Sequence, residues 1–324
     1  MDFAKLTQSQ FDNYFIDEKT CYEFLEAQRW EGTPVCPHCG SIKKPYSVKP
    51  RSKSAELKDT PHYRCSEKGC QLPFTVRTGT IFEGSKVTLK LWFKASYELS
   101  VAKKSISSLE LASRLGVSQK TAWFINHRLR NMLADTAPEL LEGEVEVDEI
   151  YVGGLEKNKH KSKRMPAGTT GAKGKAPMVG FKQRDGKVIL RVINKDQANT
   201  QGIAPLVRKY VSPNAILITD GFGAYTTVGK EYAGHEVVNH TAGEYVRAGK
   251  WHTNNMEGFW SQLKRGIIGT FHFVSHKHLQ RYCDEFAYKH NNKSISHTER
   301  FANTLKNATN TKLTYRTLTA KGEA

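Results

Sequence analysis

The sequence predicts a multidomain α+β protein in which two small modules lead into one larger mixed-sheet α/β domain. Three observations carry this: two close cysteine pairs between Cys36 and Cys70, a capped helix pair around Gly116, and strand-like runs alternating with helical ones from residue 144 onward. A chain of 324 residues is long enough for two or three units. The expected division is 1–30 for an N-terminal helical segment, 31–82 for the cysteine module, 83–136 for the helix pair, 137–300 for the mixed-sheet domain and 301–324 for a C-terminal tail.

With 38% hydrophobic and 25% charged residues, the composition is that of a globular chain and excludes wholesale disorder. The charge balance is less ordinary. Forty-nine Lys and Arg against 32 Asp and Glu leave a formal charge of +17. Such an excess favours a polyanion, because each neutralised phosphate releases condensed counterions. A merely basic soluble protein is the alternative. No apolar run follows Met1, and none approaches the ~20 residues needed to cross a bilayer, so a cytoplasmic protein without a membrane partner is expected.

The first motif reads Cys36-Pro-His-Cys39, then a Lys-rich insert, then Cys65-Ser-Glu-Lys-Gly-Cys70. In a reducing compartment, paired thiols on two turns suggest metal rather than disulfides. Four thiolates close a tetrahedral shell, which marks a structural zinc site; His38 or His62 in place of one cysteine stays open. Cys21 and Cys283 instead share helical stripes with Phe24 and Leu25 and with Tyr282 and Phe286, and are expected as buried thiols. Lys43, Lys44, Lys49, Arg51, Lys53, Lys58 and Arg64 surround the module and suit either phosphate contacts or a solvated face.

Leu89, Trp92 and Phe93 then recur at helical spacing. Ser107 and Glu110 form a capping box before Leu109, Leu111, Ala112 and Leu115, which are available for a core, and Gly116 supplies a turn. A second helix should start at Ser118. Its opening residues Gln119, Lys120 and Thr121 are of the kind that reach base edges or phosphates, with Arg128 and Arg130 available for the DNA backbone. This is a helix-turn-helix pattern, although two helices about a glycine also occur in proteins that bind no DNA.

Residues 144–152 alternate as a strand with Asp148 among β-branched neighbours. A second strand is expected over Met178–Phe181, and Asp185-Gly186 turns into a third at Val188–Ile193. A helix bearing Ile203, Leu206, Val207 and Tyr210 follows, then a short apolar strand ending at Asp220. If that helix crosses over so that the last strand lies parallel to the first, Asp148 and Asp220 become neighbours. Glu146 and Glu149 could compete with Asp148, but alternation turns Glu149 to the opposite face.

Between His252 and Arg265, Met256, Phe259, Trp260 and Leu263 make one apolar helical face, and Asn254, Glu257, Ser261 and Lys264 make a polar one. Glu257 laid against the sheet would join the two aspartates in an oxygen-rich site for a pair of Mg²⁺ or Mn²⁺ ions. A capping box of Asn254 with Glu257 is the structural alternative. The stretch Lys157–Lys175, with Lys161, Lys163 and Arg164, reads as a basic loop able to grip DNA or simply to be solvated, and His272, His276 and His278 read as surface or DNA-contacting residues rather than a metal site.

The combination resembles insertion-sequence transposases of the ISXO2-like family, from Cys36 to about Asn292. The residues that carry the resemblance are Val147-Asp148-Glu149 through Gly154, Thr219-Asp220-Gly221, the block from His252 through Thr270, and Leu279 through Tyr282 leading to Phe286 and Asn291-Asn292. The resemblance implies an N-terminal zinc ribbon, a helix-turn-helix and an RNase H-like catalytic domain, with Asp148 and Asp220 as the first two members of a DDE triad. Glu257 is the expected third member and Asn254 the fallback, while Lys264, with Arg265 beside it, fits the companion that contacts substrate DNA. The implied activity is metal-dependent hydrolysis at the terminal inverted repeats, freeing a 3′-hydroxyl that attacks target DNA, in a prokaryotic, nucleoid-associated homodimer or larger assembly. A catalytically silent zinc-ribbon regulator and a structure-selective nuclease on the same fold are the rival readings.

Overall fold

Thr7, Asp17, Thr88, Ser107 and Ser118 each accept a hydrogen bond from the backbone N–H three residues on, satisfying a donor that the first helical turn leaves open. They begin α1 (Gln8–Tyr14), α2 (Glu18–Arg29), α3 (Leu89–Val101), α4 (Ser108–Leu115) and α5 (Gln119–Met132). Between α2 and α3 lie three short antiparallel strands, β1 (Tyr46–Ser47), β2 (Tyr63–Arg64) and β3 (Pro73–Phe74). The computed structural model describes residues 3–30, 32–50, 54–154, 160–164, 166, 174–239, 246–309 and 313–320. Two units divide the chain: residues 1–133 with 292–324, and residues 134–291.

In the second unit, β-branched and apolar residues form β4 (Glu144–Val152), β5 (Ala176–Gln183) and β6 (Val188–Val192) as an antiparallel meander, with Asp185 at φ 54° in the hairpin turn. Helix α6 (Thr200–Tyr210) crosses to β7 (Ile216–Asp220), which lies parallel to β4. A short α7 (Tyr225–Val228) leads to β8 (Gly234–Val238), parallel to β7. Next come α8 (Asn254–Gly266) and α9 (His276–Asn291). The sheet order is β6-β5-β4-β7-β8.

Strand alternation sorts the side chains onto two faces. Val145, Val147, Val179 and Phe181 pack with Ile203, Val207 and Tyr225 on the α6 and α7 side. Met178 and Leu190 pack with Met256, Phe259, Trp260, Leu263, Leu279 and Cys283 on the α8 and α9 side. Cys21 and Cys283 are both fully buried.

The first unit is completed by α10 (His297–Lys306) and α11 (Tyr315–Thr319). This corrects the expectation that 301–324 is a tail. Phe301 is fully buried, with ring centroids 5.0 Å from Phe11, 5.3 Å from Phe93 and 6.0 Å from Phe24, and Leu318 is fully buried as well. The apolar pair Phe301 and Leu305, one helical turn apart behind a capping box at Ser296, is what draws the segment into the aromatic core. The expected boundary at residue 300 moves accordingly to Asn291.

Candidate active site and zinc centre

In the first unit, the sulfurs of Cys36, Cys39, Cys65 and Cys70 all lie within 4.8 Å of one another. Cys36 Sγ is 3.9 Å from Cys70 Sγ, and Cys39 Sγ is 3.6 Å from Cys65 Sγ. A tetrahedral zinc with Zn–S bonds of ~2.3 Å places its sulfurs about 3.8 Å apart, so the spacing fits that ion. Neither histidine alternative is needed: His38 Nε2 lies 3.3 Å from the Pro73 carbonyl, and the His62 ring stacks on Tyr22.

The helix pair forms with Gly116 at φ 66°, a left-handed turn that suits glycine. Gln119 and Lys120 are exposed at the start of α5, with Lys120 Nζ 4.9 Å from the Tyr315 ring centre, and Thr121 is half-buried with its hydroxyl 2.9 Å from that of Ser118. Arg128 corrects the expectation. It is 5% exposed, its guanidinium lies over Trp92 and Phe124, and burial pulls its pKa down to about 10, so it is held in the core and not offered to a phosphate. Arg130 is buried as well, and Leu109, expected in the core, is exposed. Arg128 shares a helical stripe with Ile125 and Leu129, and Leu109 lies off the stripe of Leu111 and Leu115.

In the second unit, the crossover brings Asp148 and Asp220 together. Val147 pairs with Thr219 at the end of the parallel β4–β7 ladder, and the next residue of each strand is an aspartate: Asp148, midway along β4, and Asp220, the last residue of β7. Glu149 joins them: ligand atoms of Asp148, Glu149 and Asp220 all lie within 4.8 Å of one another. This corrects the expectation that alternation keeps Glu149 away. Its side chain does belong to the α7 face, where Tyr225 Oη donates to its carboxylate. Past Val147, however, β4 has no ladder partner on the β7 side, so carboxylates from both faces converge in the gap.

Asp148 accepts hydrogen bonds from Trp260 Nε1 at 2.9 Å and from the Glu149 N–H at 2.9 Å. Burial raises its pKa to about 6 against those two bonds, and Asp220 and Glu257 push in the same direction as burial. Glu149 is raised to about 8, by burial first and then by Asp220 and Asp148, against the bond from Tyr225. Crowded carboxylates that resist ionisation together are a donor set that a hard divalent cation relieves.

Glu257, Lys264 and Arg265 are exposed on α8, with Arg265 Nε bonded to the Ser261 carbonyl at 3.2 Å. Glu257 is near enough to act on Asp148 but stands outside the tight acidic group. Asn254 is the first residue of α8, exposed, and not its N-cap; Thr253 holds that place. Lys161 and Arg164 are exposed, whereas the side chain of Lys163, together with Lys157, Lys159 and most of the basic stretch, lies outside the described residues. Among the described residues, His272, His276 and His278 join no metal-competent group.

Sequence reasoning left the role of Glu146 open. Fully buried, it accepts from Met256 N at 2.8 Å, Asn255 Nδ2 at 2.8 Å and Arg184 Nε at 3.2 Å. It therefore caps α8 from β4 and fixes that helix against the strand bearing Asp148. Gly180, opposite Asp148 in β5, completes the fit, because a Cβ there would lie 2.3 Å from Met256 Cε and 2.5 Å from the Trp260 ring.

An antiparallel meander continued by two parallel strands, with acidic side chains converging from the neighbouring strands β4 and β7, defines an RNase H-like domain. Residues 140–291 match the model of the ISXO2-like transposase domain, and residues 16–72 match that of the transposase zinc-ribbon domain. Over 264 residues the chain is 31% identical to an uncharacterized protein in transposable element ISH50 of Halobacterium salinarum, covering 78% of this chain and 84% of that protein. It is 27% identical over 109 residues to an uncharacterized transposase-like protein of Haemophilus influenzae, covering 34% of this chain and 85% of the relative. The chain belongs to the ISXO2-like transposase family. Solved structures of Mos1 transposase also match, in a paired-end complex with the left transposon end (15% identity, 58% of this chain, 72% of that chain, TM-score 0.21) and in a strand transfer complex (13%, 63%, 74%, TM-score 0.20). No helix among the described residues is long and apolar enough to cross a membrane.

Proposed function

We propose that the second unit cuts and joins DNA strands at the ends of an insertion sequence, with Asp148, Asp220 and Glu257 holding Mg²⁺ or Mn²⁺. The observation that carries this reading is the convergence of Asp148, Glu149 and Asp220 within 4.8 Å from neighbouring strands of a chain with net charge +17. When bound, a pair of divalent ions activates the attacking oxygen and neutralises the leaving one.

The chain's own side chains do the rest. Trp260 and the Glu149 N–H orient the Asp148 carboxylate, and Tyr225 orients Glu149. Glu146 sets the start of α8 and hence the approach of Glu257. Lys264 and Arg265 on the same helix take up backbone phosphates, with Lys161, Lys163 and Arg164 as further contacts. Zinc held by Cys36, Cys39, Cys65 and Cys70 shapes the first unit, and Gln119, Lys120 and Thr121 present the start of α5 to the terminal inverted repeats. Two ends are joined by a dimer or larger assembly on double-stranded DNA, acting in the cytoplasm at the nucleoid.

The test is nicking of duplex carrying the element's end, with Mg²⁺ or Mn²⁺. Asp148→Ala and Asp220→Ala each remove several kcal/mol of charge stabilisation, about a thousandfold in rate, with DNA binding retained. Glu257→Gln is expected to cost about 100-fold and Glu149→Gln about 10-fold, the size of an outer-shell effect. The reverse order would make Glu149 the third ligand. Undiminished cleavage by the aspartate variants would end the reading, and preferential cutting of branched junctions without strand joining would select a structure-selective nuclease.

A further inference from the structure

Past Lys264 the surface of α8 changes character. Glu257, Ser261, Lys264 and Ile268 recur at helical spacing and are all exposed, so one stripe runs from the acidic site to Ile268. The helix continues into a π-helical turn over Ile267–Phe271. Its inner side is anchored: Ile267 is 7% exposed in the core, and the Phe271 ring meets Tyr282 edge-on at 4.6 Å. Its outer side carries Ile268 and Phe273, which are 68% and 70% exposed.

Between them His272 sits at φ 60°, ψ −42°, a backbone conformation costly for a side-chain-bearing residue. Its ring Nδ1 lies 3.0 Å from the Ile268 carbonyl, and the Phe273 N–H donates to the Phe271 carbonyl at 2.6 Å. The turn is thus fixed with two large apolar groups held outward. Along the sequence about it the charge has one sign: between Glu257 and Asp284 lie Lys264, Arg265, Lys277 and Arg281 and no carboxylate.

We propose that Ile268 and Phe273 form a wedge that enters duplex DNA and unstacks a base step beside the site of cleavage. This rests on the reading of the acidic cluster as a strand-cleaving site. Apolar side chains flanked by cations are the surface that prises base steps apart, the cations holding the phosphates on either side. Deformation would also serve the site, since Asp148, Glu149 and Asp220 are all half-buried and an opened duplex gives a backbone phosphate freer access to them. At 1.5 Å per residue, Ile268 lies about 16 Å along the helix from Glu257. That distance corresponds to roughly five base steps of 3.4 Å, which sets where the opened step should be.

The experiment uses the full-length zinc-loaded protein and element-end duplexes carrying 2-aminopurine at single positions. Wild-type protein is expected to raise its fluorescence at one step about five pairs from the cut, with or without a divalent ion. Phe273→Ala, and the double variant with Ile268→Ala, should abolish the rise and slow cleavage of paired duplex by about 10- to 100-fold. A mismatch at that step should restore the variants to near the wild-type rate, and Phe273→Trp should keep the signal. A rise that persists in the alanine variants, or cleavage that the mismatch does not restore, overturns the wedge. So does a change in oligomeric state by light scattering with the rise intact, which would make the patch a contact between copies. Because the fluorescence requires no chemistry, failure of cleavage in wild-type protein would count against the strand-cleaving reading alone.

Discussion

The four cysteines come from two turns inside one short module and meet at sulfur spacings of 3.6 and 3.9 Å, whereas Asp148, Glu149 and Asp220 come from strands separated by a hairpin and a crossover helix. The thiolates close a complete shell by themselves. The carboxylates stop short of one: three groups from two strands crowd together, and Trp260 of α8 bonds to one of them. A ligand set made by local turns is written in residue spacing. A set made by topology exists only once the sheet has formed, and it leaves room for a substrate.

Removing the metal from the closed set should have the largest consequence. Structural zinc contributes roughly 10 kcal/mol or more to such modules, so chelation, or Cys36→Ser with Cys39→Ser, should unfold the ribbon and abolish end binding while the second unit keeps its circular dichroism. Native protein free of zinc by elemental analysis would dissolve the contrast. The open set should respond to packing instead. Gly180→Ala drives a methyl into Met256 and Trp260, and is expected to cost about 1–3 kcal/mol by thermal unfolding. By displacing the indole that holds Asp148, it should also slow cleavage about 10- to 100-fold. Unchanged kinetics in a folded Gly180→Ala protein would show that α8 does not position the site.

The smallest effect separates burial from metal binding. Half-buried Glu26 accepts from Tyr63 Oη at 3.0 Å, and burial raises its pKa to about 7. The folded state therefore holds a proton that the unfolded chain has already lost, and this contribution to stability falls as pH rises from the ordinary carboxylate range through about 7. Glu26→Gln should raise the melting temperature slightly at pH 8, do nothing at pH 4, and leave the response to divalent ions unchanged. At Glu26 burial leads and Glu23 adds a smaller push, so its raised carboxyl is a cost of packing. Beside Asp220 and Glu149, the same shift at Asp148 accompanies a donor set.

What could be read from the sequence follows the same division. The cysteine pairs, the Ser107 and Ser118 caps, the Asp185-Gly186 turn and the apolar stripe of α8 are local patterns, and each lies where spacing places it. Strand β8 was not legible, because its half-buried residues show no alternation. Glu146 was half legible: it is two residues from Asp148 and so shares its face, but Arg184 and Met256 N–H, which give it a role, are distant in the chain. Glu149 was misplaced by an alternation rule that holds inside a ladder and fails where the ladder ends. Arg128 was misplaced by giving its charge more weight than the stripe it shares with Ile125 and Leu129.

Phe301 has a bearing on synthesis. It closes an aromatic core whose members Phe11, Phe15, Phe24 and Phe93 are made long before it, while the residues of the mixed sheet and its helices form one uninterrupted stretch. A nascent chain therefore finishes its mixed-sheet half first, and the half that carries the four cysteines reaches its full core only once the ribosome has passed residue 301.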